Sequence, residues 1–422
     1  MADRQGERLR LKGSPKGPDS MGSIRRHRPD YWLVIIILLL LAIGMTVIYS
    51  ISPALTALRG GNYVMRQAIA IALSIVAFTV TARIPLRTWR RWQWWLLGLA
   101  ALGTLIALVL PPVPAYPQHR WIHLGSFSLQ SVEVLKFALI ISLSGFLAAR
   151  ASDGEIGNFN LTMKPLLAAL AAIGFIVAFI QGDLGSAGVI VVMAVVMGFV
   201  AGMPMRRIAL VGLVMLIGAT LAISSTPYRR ARLSTYLHPE SNCSTSAGHQ
   251  ACQALIAVGS GGMIGLGLGN SVQAYGYLPE AQNDSIFAIY AEKFGFIGTM
   301  VLLGLFVTLF ARLRLIAERA PDMFSRLVVV GVLAWLSIQA IINIGAMIGL
   351  LPLKGITLPL ISYGGTSVLF VGAALGLVFQ VSHYTGFNSR FIPRSRERNR
   401  YDNSTDGRRI RRTHYADPRG RA

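Results

Sequence analysis

Ten stretches of this sequence are apolar over about the length a helix needs to cross a bilayer, roughly 20 residues. They run from about Tyr31 to Ile51, Val64 to Ala82, Trp94 to Leu110, Val132 to Ala149, Pro165 to Gln181, Leu184 to Gly202, Ile208 to Ser225, Ile286 to Phe310, Leu327 to Leu351 and Ser367 to Gly386. The expected fold is therefore an all-α polytopic membrane protein with ten transmembrane helices, in keeping with a chain that is 53% hydrophobic and only 14% charged. The first run has full membrane length and no small-residue cleavage pattern closes it, so it reads as an anchor.

Basic residues set the orientation, because cytoplasmic loops retain Lys and Arg. Alternate connections carry Arg83, Arg87, Arg90 and Arg91, then Arg150 and Lys164, then Arg206 and Arg207, then Arg312, Arg314, Arg319 and Arg326, and finally an Arg-rich tail. All fall on one side if both termini are cytoplasmic. The chain then divides into a basic tail at 1–30, a membrane domain at 31–386 and a second basic tail at 387–422. The tails hold a good part of the net charge of +22. Basic clusters beside a membrane point to anionic lipid headgroups rather than to nucleic acid.

The same topology leaves a large extracytoplasmic loop between the seventh and eighth helices, at about 226–285. Loops of that length usually carry function. Both cysteines, Cys243 and Cys252, lie in it with eight residues between them. On an oxidising face they could close a disulfide worth roughly 2 to 3 kcal/mol, and two free thiols are the equal alternative. Histidines form no H-E-x-x-H and no Cys/His cluster, so nothing points to zinc.

Acids are few, and their positions narrow the chemistry. Of 18 carboxylates, only Glu133, Asp183, Glu240, Glu280, Asp284 and Glu292 fall outside the tails and the cytoplasmic loops. Glu133 and Lys136 share a helix face at i, i+3 and either pair internally or line a substrate site. Asp183, in "QGDLG", is the simplest cap for the sixth helix, and Glu240 reads as solvated. Asp284 either caps the eighth helix or serves as a general base at its outer mouth. Glu280 would lie one turn before it if the helix reached that far, and Glu292 two turns after. Arg229, Arg230 and Arg232 break the positive-inside tendency, which marks them as anion binders or as a headgroup-facing charge run.

Two stretches punctuate the apolar pattern. "GSGGMIGLGLGNS" (259–271) has no nucleotide fingerprint; its glycines imply close approach of backbone to backbone or to a ligand. "LPLKGITLPLISYGGTS" (351–367) cannot be one helix because of Pro352 and Pro359, and irregular backbone near a membrane needs protein or a wet cavity to satisfy it. Lys354 there offers a cation, and Thr366 and Ser367 could cap the last span.

Together these stretches resemble the SEDS family, the shape, elongation, division and sporulation proteins, over about residues 30 to 386. The resemblance is carried by "RWIHLG" with "QSVEVLKF", "QGDLGSA", "YRRARLSTYLHP", "QALIAVGSGGMIGLGLGNSVQAYGYLPEAQNDSIFAI" and "LPLKGITLPLISYGGTSVL". "GLGNSVQ" before "YLPEA" is more similar to the division-type branch than to the elongation-type one. The resemblance implies an inverting glycosyl transfer between lipid II molecules at the outer face of the cytoplasmic membrane, building a β-1,4 glycan strand and releasing undecaprenyl diphosphate. It makes Asp284 the essential base. It offers Lys136, Arg229, Arg230, Arg232 and Lys354 to the diphosphate, places the family's fourth-span Glu and Lys on Glu133 and Lys136, and gives Glu280 a supporting role. It leaves a divalent cation, Mg or Mn, open as a cofactor. Expected partners are a single-span class B penicillin-binding protein and other division proteins.

The chain also departs from the family. Ser131-Val132 replaces Pro-Ser before Glu133, Gly182 replaces a proline, and Gln282, Asn283 and Ser285 replace the usual neighbours of the key Asp. The insertion that bears the cysteines is unlike the usual loop. A lipid II translocator and a scaffold that recruits a transpeptidase are the competing functions.

Overall fold

A computed structural model describes residues 25–26, 28–110, 120–124, 127–237, 243 and 246–385. Most of both basic tails, and Glu240, lie outside them. Among the described residues nine helices are long and apolar enough to cross a membrane: α1 (Tyr31–Arg59), α2 (Tyr63–Arg83), α3 (Leu86–Val109), α4 (Ser131–Ser152), α5 (Phe159–Ile180), α7 (Met205–Ser224), α10 (Ile286–Glu318), α11 (Met323–Met347) and α12 (Gly365–Ser382). The remaining apolar helix, α6 (Leu184–Val200), has 17 residues and is short for a span. Two shorter helices, α8 (Pro227–Leu237) and α9 (Ser246–Ser260), build the large loop.

Polar residues start several of these helices where the apolar runs begin. Asp30, Asn62, Asp183 and Asp322 accept from the N–H of Leu33, Met65, Ser186 and Ser325, which satisfies donors that a first turn leaves open. Helices α4, α11 and α12 are the buried centre, whereas α3 and α7 turn most of their surface outward. Arg25–Arg26 pairs antiparallel with Tyr384–Thr385, and Arg312 lies 3.7 Å from Asp30. The start of α1, the far half of α10 and the end of α12 therefore share one end of the bundle. The opposite end gathers the starts of α4, α6, α10 and α12, the ends of α7 and α11, and the hairpin of β1 (Trp121–Leu124) with β2 (Phe127–Gln130).

Helix α10 breaks at Gly295, where φ is +64° and ψ is −165°. The break strips several backbone groups of helical partners, and residues 261–267 replace them. Leu266 and Gly267 donate to the carbonyls of Glu292 and Lys293 at 2.9 and 3.0 Å, while Phe296 and Ile297 donate to those of Gly262 and Met263 at 2.9 and 3.1 Å. Glycine is required for this approach: a Cβ on Gly261 or Gly265 would run into the carbonyl oxygens of Ala291 or Lys293, and one on Gly295 into the backbone of Gly265. The glycine-rich stretch thus packs backbone against backbone. Glu292 does not share a cavity with Asp284 as its spacing allowed; it is fully buried and accepts from Ser271 Oγ and from the N–H of Val272 and Gln273.

The proline-bearing stretch is irregular as expected and packs deeply. A Cβ on Gly44, midway along α1, would sit 2.7 Å from the Ile361 carbonyl. One expectation fails here. Thr366 and Ser367 do not cap α12, which begins after Gly364 without a side-chain cap; Thr366 Oγ1 instead donates to the Ser128 carbonyl at 2.7 Å and accepts from Gln130 N–H at 3.2 Å. An edge hairpin with unpaired groups competes for that hydroxyl.

Gly265→Ala combines a forbidden approach to Lys293 with a φ of +84°, so it is expected to cost about 2 to 4 kcal/mol. Gly269→Ala, which meets nothing within 4 Å, is expected to cost far less. Thermal unfolding of the two variants in detergent compares them directly.

Candidate functional site

Asp284 lies in the stretch of turns immediately before α10. The helix does not extend back to Glu280, so the two acids are not stacked on one helical face: residues 279–285 are turns, and Glu280 itself takes a φ of +50°. Nor is Asp284 a cap, since α10 starts after Ser285 with no side-chain cap bond. The backbone around it is held from three sides. Asn343 Nδ2 donates to the carbonyls of Asp284 and Ile356, both at 2.7 Å. Ser362 Oγ donates to the Asn283 carbonyl at 2.6 Å, and Tyr363 N–H to that of Gln282 at 2.9 Å. Asn283 Nδ2 in turn donates to Glu280 Oε2 at 2.6 Å.

These bonds account for the altered neighbours Asn283 and Ser285. Asn283 ties down Glu280, while Ser285 Oγ donates to the Pro279 carbonyl and accepts from Gln250 Nε2, each at 3.0 Å. Gln250 also donates from the same nitrogen to Asp284 Oδ1 at 3.3 Å. The other carboxylate oxygen faces Gly355, where an added Cβ would stand 3.7 Å from Oδ2. Gly355 is exposed and Asp284 itself is partly exposed, which puts that oxygen on the accessible side.

Burial, and then the negative charge of Glu280, push the Asp284 carboxyl up to about 6, against a smaller opposing pull from the Gln250 hydrogen bond and the Arg232 charge. At pH 7 such a group is roughly nine-tenths ionised and still a competent proton acceptor.

Arg232, whose charge reaches Asp284, belongs to a cluster of cations. Arg232 Nη1 donates to the Leu353 carbonyl at 3.3 Å, next to Lys354. Arg229 spans the ends of two helices, donating to the carbonyls of Ala222 and Ala178. Arg120 donates to the carbonyls of Gln181 and Gly182 at 2.9 and 2.7 Å and stands 3.9 Å from Asp183. Burial first, then Arg232 and Arg229, lower the Lys354 ammonium below its usual range, with Asp183 opposing; burial and Arg120 lower Arg229. Like charges held this close, outnumbering the nearby carboxylates Asp183 and Asp284, form a surface prepared for an anion. Arg230 is exposed on α8. Asp183 caps α6 through Ser186, and the Gly182 that replaces the family proline has a φ of +69°, which a proline ring cannot adopt.

Glu133 and Lys136 meet at 2.7 Å, both buried. Lys136 Nζ also donates to Gln339 Oε1 at 3.0 Å and lies over the Trp335 ring. Gln339 is one helical turn from Asn343 on α11 and donates to the Thr357 carbonyl at 2.9 Å. The pair therefore props the floor beneath Asp284, the internal salt bridge of the two readings open from sequence. Cys243 and Cys252 are joined as a disulfide.

Gln250, Asn343, Gln339 and Arg120 were absent from the sequence-derived candidates. Amides do not titrate, so a census of carboxylates passes over Gln250; Asn343 and Gln339 could have been found as polar residues within an apolar span.

Residues 31–386 match the family described as cell cycle protein, the FtsW, RodA and SpoVE group. The chain belongs to this family, the SEDS proteins. It is 38% identical to a probable peptidoglycan glycosyltransferase FtsW of Coxiella burnetii, covering 84% of this chain and 96% of that one. It is 37% identical to the stage V sporulation protein E of Bacillus subtilis, over 86% and 99%. Among solved structures it resembles a chain from a peptidoglycan synthase complex that coordinates polymerization and crosslinking, with TM-score 0.68 and 26% identity over 84% and 97% of the two chains. It also resembles the rod shape determining protein RodA of Thermus thermophilus, with TM-score 0.59 and 25% identity over 84% and 96%.

Lys136→Met leaves Glu133 buried beside Gln339 with no cation, and is expected to destabilise the fold by about 3 to 5 kcal/mol. Glu133→Gln combined with Lys136→Met should recover part of that loss. Thermal unfolding of the single and double variants provides the comparison.

Proposed function

We propose that this multi-pass membrane protein is a peptidoglycan glycosyltransferase that polymerises lipid II, with Asp284 as its general base. The observation that supports it at residue level is the arrangement around Asp284: a carboxylate with one oxygen held and the other on the accessible side, tuned to about 6, within reach of Arg232 and the cation cluster it belongs to. Relatives of comparable length carry the same activity in their names.

In the reaction, the Asp284 carboxylate accepts the proton of the acceptor's sugar hydroxyl as that oxygen attacks the donor's anomeric carbon. The bond from that carbon to the diphosphate breaks, and undecaprenyl diphosphate departs with the electron pair. Negative charge on it is met by Arg232, Lys354 and Arg229, with Arg120 behind them and Arg230 at the exposed rim. Glu280 raises the proton affinity of Asp284, and Glu133 with Lys136 supports the floor. Among the described residues no three His, Cys, Asp or Glu side chains converge on a metal site, so the Mg or Mn ion left open by the sequence is assigned no step.

The charge rule places both termini in the cytoplasm and this site at the outer face. The basic tails then meet anionic lipid, and the expected partner is a single-span class B penicillin-binding protein in septal wall synthesis.

Asp284→Asn is expected to insert and fold normally yet lose glycan polymerisation by about 10²-fold or more, the usual contribution of a general base. Near wild-type polymerisation of lipid II by purified Asp284→Asn would remove the assignment. The sign of the pH dependence follows from the raised value: the base is protonated and idle below about 6, so the wild-type rate should climb through that pH and level off above it.

A further inference from the structure

The cysteine-bearing segment is tied to the candidate base. Helix α8 is anchored by its arginines, Arg229 on the carbonyls of Ala222 and Ala178 and Arg232 on that of Leu353. Helix α9 packs against α8, α10 and α11 and carries Gln250, which is 8% exposed. Both hydrogens of its Nε2 are committed, one to Asp284 Oδ1 at 3.3 Å and one to Ser285 Oγ at 3.0 Å. Cys252 is two residues further along α9, about 200° around the helix from Gln250. Its bond to Cys243, three residues before α9 begins, staples the first turns of α9 to the chain that leads into them, with a Cα–Cα distance of 5.7 Å.

We propose that the Cys243–Cys252 disulfide is a clamp that locks the rotation of α9 so that Gln250, a positioning residue for the transfer reaction, holds Asp284 in its working orientation. The inference rests on the reading of Asp284 as the base. The geometry carries it in three steps. An Asp carboxylate has a broad, soft terminal torsion, so its direction must be set by partners. Gln250 takes Oδ1, which turns Oδ2 toward the exposed Gly355 and the accessible side. A 15-residue helix is marginal by itself, and rotation or fraying at its first turns would withdraw Gln250 first, because that residue lies only four positions after Ser246. The disulfide fixes the opposite side of the same stretch of helix, two residues beyond Gln250.

The Gln250 bond stabilises the ionised carboxylate, so its loss should move the acid limb of the pH–rate profile upward. A role confined to folding would leave that limb in place. The test uses the full chain in lipid nanodiscs with lipid II as substrate, and compares initial polymerisation rates from pH 5 to 8 for four proteins: wild type, Gln250→Met, Cys243→Ser with Cys252→Ser, and all three changes together. The limb of Gln250→Met should rise by about half to one pH unit, and that of the serine pair by a smaller amount in the same direction. The triple variant should behave as Gln250→Met alone, because a clamp that acts only through Gln250 has nothing left to act on.

An unshifted limb in Gln250→Met overturns the positioning role, and a wild-type profile in the serine pair overturns the clamp. Full additivity in the triple variant shows that the two act independently and overturns the link between them. If the serine pair does not fold, Gln250→Met still decides the positioning role, and wild type titrated with a dithiol reductant decides the clamp, an unmoved limb after full reduction overturning it. Asp284→Asn run alongside separates the two levels. Activity in that variant removes the base assignment, whereas its inactivity with an unmoved Gln250→Met limb removes only this inference.

Discussion

Backbone hydrogen bonding where helix geometry fails is the constraint on which the rest of the structure depends. In a bilayer each unpaired N–H or C=O is costly, so a broken helix is tolerated only if other protein groups or water replace the lost partners. The break of α10 at Gly295 is closed by residues 261–267 in four backbone bonds. The proline-interrupted stretch is held by side chains of α11, Asn343 and Gln339 donating to the carbonyls of Ile356 and Thr357. These two repairs bring the site together. One sets the direction in which α10 leaves the turns that bear Asp284, and the other brings Gly355 against that carboxylate.

Within that frame the electrostatics are asymmetric. A carboxylate with a raised proton affinity lies within reach of Arg232, in a cluster where the charges of Lys354 and Arg229 are made less comfortable by burial and by neighbouring cations. Such a cluster costs stability unless something anionic enters. Much of the cations' hydrogen bonding goes to backbone carbonyls at helix ends, which hold part of the positive charge without cancelling it. The deeper Glu133–Lys136 pair is different: there the charges neutralise each other, and a fully engaged Lys136 has little left to offer a ligand.

The site was partly legible in one dimension. Asp284 stood out because acids are rare outside the tails, and the cation set because three arginines fall on the side that the charge rule expects to be poor in them. Glu280 was misplaced relative to it, since spacing of four residues implies one helical turn only where there is a helix, and here the turns of 279–285 intervene. Thr366 was expected to cap α12 because local sequence makes it a good cap; a hairpin edge more than 230 residues away in sequence took its hydroxyl instead. Gln250 and Asn343 carry no charge to attract attention, and their importance exists only through the groups they reach.

By itself the sequence determined the class of solvent the chain lives in, the approximate positions of its spans, the direction of its charge bias and the short inventory of groups able to do acid–base work. Those are properties of composition and periodicity, and they survive without knowing any contact. Tertiary structure alone decided which oxygen of Asp284 is held by Gln250, that Arg232 comes within reach of that carboxylate and that α9 packs behind it. The Gln250 bond to Asp284 and the Arg232 bond to Leu353 join residues 34 and 121 positions apart, and no local preference encodes a meeting across that distance.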